Sequence, residues 1–186
     1  MLESGTQGPW VRWLRINLAA GRWIILGILI ASITGKQLLS ERLPHSPWQR
    51  AVAVAELLAL LPIIIGGLIS MASWPPSLET SNSGEEALQF LWFLSWGVLM
   101  FLRKHEWTSL ALGVITGLYF WMIGRMHQRR YLVAVVGWIL AGFAVYFLRW
   151  PNEQRLMLSG VAGGLATAVQ GAWEMPRWYE MSSRSR

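Results

Sequence analysis

This 186-residue chain contains no cysteine and no aspartate; all ten of its acidic residues are glutamate. Without cysteine there is no disulfide, no thiolate nucleophile and no thiolate metal site, and the redox compartment is left unmarked. Lysine is scarce as well, because fourteen of the sixteen basic residues are arginine. The three histidines, His45, His105 and His127, fall in loops or at the ends of apolar runs, and no two have metal-ligand spacing. With neither Asp nor Cys to join them, no metal site is expected. Ser159-Gly160 lacks the Gly-x that would precede the serine of a nucleophile elbow, and no histidine lies within an apolar run to activate a serine. The Gly66-Gly67 and Gly163-Gly164 pairs lie inside apolar runs, not at a strand-to-helix phosphate loop. These absences together argue against an enzyme and against a bound cofactor.

Long polar stretches are missing too. What the chain has instead is six apolar runs, at about residues 18–35, 51–74, 87–102, 107–124, 131–148 and 156–173, in a sequence that is 54% hydrophobic. A helix needs roughly 17–25 apolar residues to cross a hydrocarbon layer about 30 Å thick. The runs therefore predict an all-α, polytopic membrane bundle of about six transmembrane helices in three hairpins, forming a single domain over residues 1–186. Its solvent would be the lipid bilayer, and the loops leave no room for a separate soluble domain.

Net charge is +6. The basic residues flank apolar runs, where they anchor helix ends and meet anionic headgroups, so nucleic acid is not an expected partner. Thirteen tryptophans are present, and most, among them Trp23, Trp48, Trp74, Trp107, Trp121, Trp150 and Trp173, stand near run ends. An indole has an apolar body and one N–H donor, which suits the headgroup boundary. Before the first run, Trp10, Val11, Trp13 and Leu14 share one helical face and Arg12 and Arg15 the other. That pattern predicts a short basic helix lying in the membrane interface.

Orientation is weakly encoded. With six spans, the end holding both termini carries nine Lys and Arg residues and the opposite end seven. The positive-inside rule then places the termini in the cytoplasm, in a membrane of the bacterial inner type. The connector 75–86 has acids and no basic residue, which favours the outside for that same end. Segments 21–67 and 130–171 also share an order of elements: a basic residue and an aromatic, an apolar run, a proline turn, Gln-Arg, and a second run.

Few residues inside the runs carry chemistry. Glu56 is an intramembrane carboxylate, with Pro62 one to two turns deeper, and is the candidate ion or proton site. In an antiparallel hairpin its natural partner is Lys36. Trp92, Trp96 and Trp138 are the tryptophans least explained by an interface belt, and are candidates to line a pocket for a lipid, quinone or pigment. Gln89 and Gln170 are expected to bond between helices, and Arg22 to anchor the first helix at the interface. Small residues recur at four-residue spacing: Gly27/Ala31/Gly35, Ala51/Ala55/Ala59, Gly113/Gly117 and Gly160/Gly164/Ala168. Such stripes let helix backbones approach closely where lipid provides no hydrophobic drive.

In length and hairpin number the plan resembles small six-span membrane families of the acid-resistance type; no motif is shared, so no residue role is carried over. The functional expectation is non-catalytic: an accessory or scaffold subunit of a larger membrane complex, or a small membrane-homeostasis protein. Its partners would be other membrane subunits or copies of itself. The alternative is a small transporter or channel that uses Glu56.

Overall fold

The computed structural model describes the backbone over residues 9–43, 46–72, 83–126 and 131–184, and side chains over 21–43, 46–62, 87–126 and 131–176. Six α-helices and no strand occur among the described residues: α1 (Pro9–Arg42), α2 (Pro47–Ala72), α3 (Ser83–Phe101), α4 (Thr108–Met126), α5 (Leu132–Tyr146) and α6 (Asn152–Arg184). Of the connector expected at 75–86, residues 75–82 lie outside the described residues, and 83–86 are not loop but the first turn of α3. His127 and the basic residues Arg129 and Arg130 lie outside them as well.

Helix ends follow local chemistry. Pro9 and Pro47 stand at the first position of α1 and α2, where a missing N–H leaves no bond unmade. Residues 102–107 turn α3 into α4, with the His105 N–H donating to the Leu102 carbonyl and the Thr108 hydroxyl to the His105 carbonyl. Pro151 precedes α6, and the Arg155 N–H returns to its carbonyl.

Two elements depart from the sequence expectation. The basic segment at residues 10–16 is not a separate interfacial helix; it is the opening of α1, which runs unbroken from Pro9 to Arg42. No proline interrupts the stretch, and Gly21 costs only about 1 kcal/mol relative to Ala inside a helix. At the other end, α6 does not stop near Trp173 but continues to Arg184 through Pro176. Hydropathy falls there because Glu174 and Arg177 enter the sequence, yet both are tolerated in a helix.

Gly21–Arg42 and Thr108–Met126 are long and apolar enough to cross a membrane, and Ala87–Phe101 and Leu132–Tyr146 are shorter apolar helices. The packing is centred on α6, which lies against α1, α5 and α4. Among the described residues, the backbone of α2 approaches only α1 and that of α3 only α4, although the Trp96 ring of α3 also reaches Trp138 of α5. The molecule is thus a four-helix centre with one outlying helix on each of two sides.

The α1–α6 contact is antiparallel, with residues 23–42 of α1 running against 154–171 of α6. A Cβ on Gly27 would sit 2.5 Å from the Gly164 carbonyl oxygen, and one on Gly164 would sit 2.7 Å from the Ala31 nitrogen. Further along, Gly160 meets Thr34 and Gly171 meets the backbone of Trp23 and Ile24. At Gly27, Gly164 and Gly171 backbone lies on backbone, so only glycine fits; at Gly160 the space is taken by the Thr34 side chain. The α4–α5 contact is built the same way: Gly113 faces the Trp138 carbonyl and the Gly142 Cα, and Gly117 faces Ile139.

Candidate functional site

Read at helical spacing, Arg155, Ser159, Gly163, Thr167, Gln170 and Glu174 share one face of α6. That face points inward. Ser159 and Thr167 are 0% exposed, Gln170 and Glu174 1%, and Arg155 9%. A polar seam therefore runs through the centre of the molecule, from a guanidinium near one end to a carboxylate near the other.

Burying such groups is unfavourable unless each finds a partner. Gln170 does so by serving another helix. Tyr131, ahead of α5, provides no capping side chain. The Gln170 Oε1 accepts from the Val133 N–H at 3.0 Å and from the Ala134 N–H at 3.4 Å. These are two of the backbone donors that every helix leaves unmatched in its first turn. The Gln170 amide then donates to Glu174 Oε1 at 3.4 Å. Glu174 thus sits beside the N-terminus of α5, where the helix dipole favours negative charge. The α1–α6 register that sets Gly171 against Trp23 and Ile24 also brings Glu174 level with Gly21 and Arg22.

At the other end, Arg155 donates through Nη1 to the Tyr146 carbonyl at 2.6 Å and through Nη2 to Asn152 Oδ1. It ties the end of α5 to the start of α6. Arg155 Nε, Ser159 Oγ, Ser109 Oγ, Trp23 Nε1 and Tyr131 Oη have no hydrogen-bond partner among the described residues.

Midway, the seam is closed by an indole. The Trp138 ring lies directly over Gly163, in the space that any side chain there would need. Trp138 Nε1 donates to Thr167 Oγ1 at 2.9 Å, and Thr167 donates in turn to the Gly163 carbonyl at 3.0 Å. The three tryptophans singled out in the sequence gather here. Trp92 Nε1 and Trp96 Nε1 both lie within reach of Thr116 Oγ1, at 3.3 and 3.2 Å. Trp96 meets Trp138 edge-on at 5.7 Å, and Trp92 stacks on Tyr119 at 4.7 Å. They fill the interior against one another. The open groove that Trp92 borders, between α3 and α4, holds about 170 Å³.

Glu56 is elsewhere. It is partly exposed on α2 and pairs with Lys36 Nζ at 3.2 Å, the partner that the hairpin geometry implies. Gln89 is exposed on α3. Gly27 and Ala31 meet Gly164 across the α1–α6 contact, while Gly113 and Gly117 serve the α4–α5 contact. Among the described residues no three His or Glu groups come together as metal ligands.

Sequence reasoning missed Glu174. It stands just past the last apolar run and reads there as part of a charged tail. The available signal was the helical spacing back from Glu174, four residues to Gln170 and three more to Thr167. Comparison of the chain with protein-family models, curated proteins and solved structures yields no match.

Proposed function

We propose that this chain is a six-span integral membrane protein that acts without catalysis, as a scaffold or accessory subunit of a larger membrane assembly. The observation that carries the reading is the inversion of polarity. Leu58, Phe90, Phe93, Leu118, Trp121, Leu140, Val169 and Trp173 are all more than half exposed (65, 67, 54, 52, 54, 61, 56 and 66%). Thr116, Ser159, Thr167, Gln170 and Glu174 are at most 1% exposed. Lipid tolerates such an outer surface, and water does not. A scaffold is supported by the outlying helices. The backbone of each approaches a single neighbour among the described residues, which leaves apolar faces such as Leu57 and Leu58 on α2 and Phe90 and Phe93 on α3 for other subunits or a second copy. The bacterial-type inner membrane and cytoplasmic termini belong to the same proposal, on the nine-to-seven distribution of basic residues.

Native mass spectrometry of the protein, extracted gently from its own membrane, tests this. The expected result is a stoichiometric membrane partner or a defined homo-oligomer. A lone monomer carrying only lipid would contradict the scaffold reading.

Transport is the second reading, and the feature in its favour is the buried Glu174–Gln170 pair rather than Glu56. Against it stands the Trp138 indole across the seam at Gly163. A liposome flux assay separates the readings: transport requires a flux that Glu174→Gln abolishes, and a scaffold gives none.

A further inference from the structure

The end of the bundle opposite the termini carries a pocket with two chemical halves. It is an open cavity of about 400 Å³, lined by Met100, Phe101, Arg103 and Lys104 where α3 turns toward α4. That volume lies within the roughly 300–1,000 Å³ of small-molecule sites. Phe101 is 94% exposed, the most exposed large apolar side chain among the described residues. It stands two residues from Arg103 and three from Lys104.

The turn that presents these cations is fixed from both sides. The Lys104 carbonyl accepts from Asn152 Nδ2 at 2.6 Å, and Arg103 Nε lies 3.3 Å from Glu153 Oε1. Glu153 therefore occupies only the inner edge of the guanidinium, and the Arg103 side chain is still 51% exposed. Lys104 has no carboxylate partner among the described residues. One side of the pocket thus offers an ammonium and the outer edge of a guanidinium. The other offers a thioether and a phenyl ring.

We propose that this pocket binds an anionic phospholipid, with the phosphate on Lys104 and Arg103 and the first part of an acyl chain on Phe101 and Met100. The apolar half selects a lipid over free phosphate, and the paired cations select an anionic headgroup over a zwitterionic one. The inference rests on the membrane reading above, because it places the end of α3 at the headgroup level.

The test is retention of phosphatidylglycerol against phosphatidylcholine by the full-length protein, reconstituted in mixed vesicles and released for native mass spectrometry. The comparison sets the variant Arg103→Gln/Lys104→Gln against a control of equal charge change at the same end, Arg50→Gln/Arg149→Gln. The expected result is preferential retention of phosphatidylglycerol by wild type and by the control. In the pocket variant it falls about five-fold for each charge removed. Phe101→Ser lowers retention of the lipid with both cations intact. Equal losses in the pocket variant and the control would overturn the site, since they mean diffuse attraction only. Equal retention of both lipids by wild type would also overturn it and leave the membrane reading standing. A protein that does not float with vesicles at all would refute the membrane reading itself. Inorganic phosphate that displaces phosphatidylglycerol completely would refute the role given to the apolar half.

Discussion

Single residues set the tightest constraints at the two backbone-on-backbone crossings. Gly27 faces main-chain atoms of Gly164 and Ala168, which cannot rotate away. Gly27→Ala should therefore destabilise by about 1–3 kcal/mol, the usual range for overpacking. Gly97 has nothing within 4 Å of a Cβ, so Gly97→Ala should be neutral or stabilising by roughly 0.5–1 kcal/mol. Thermal melts of the two variants in the same detergent check the contrast. Gln170→Leu tests the seam. It leaves the Val133 and Ala134 N–H groups and Glu174 without their amide partner, and a loss of about 1–3 kcal/mol is expected. Glu56→Gln should shift the melt by less than about 1 kcal/mol, since the Lys36 side chain is 54% exposed and such pairs contribute little.

The element scale shows why some of this was legible in the sequence and some was not. Six helices follow from six apolar runs, because run length is written residue by residue, and α2 stays helical through Pro62. The α3, α4 and α5 boundaries fall within a few residues of the runs at 87–102, 107–124 and 131–148. Continuity of α1 and the length of α6 were illegible to hydropathy, which reports the preferred solvent of a segment and not whether its backbone stays helical. The small-residue stripes at Gly27/Ala31/Gly35 and Gly160/Gly164/Ala168 were visible as patterns. That they face each other, across more than a hundred residues of intervening chain, follows only from the α1–α6 packing. Glu174 was hidden for a related reason: a carboxylate beside charged residues reads as tail until its neighbour across the fold is known. The outlying helices carry their own expectation. With backbone packed on one neighbour each among the described residues, α2 and α3 should exchange amide hydrogens faster than α5 and the inner part of α6. Hydrogen exchange read by mass spectrometry checks this; uniform protection over all six helices would contradict the arrangement.

At the scale of the whole molecule, the proposed membrane reading requires that lipid surround the bundle while the buried polar groups of α6 face inward. The absence of cysteine makes this directly measurable, because any introduced thiol is the only one. Single cysteines at Leu118, Leu140 and Val169 sit on outward faces near helix middles, and one at Trp150 sits in the turn between α5 and α6. Labelling of each variant by a membrane-impermeant maleimide, in open membrane fragments that expose both faces, is the deciding measurement. Rapid labelling is expected at position 150, and negligible labelling at 118, 140 and 169 until detergent is added. Labelling at 140 and 169 as fast as at 150, in intact membranes, would mean that water reaches those faces and would contradict it.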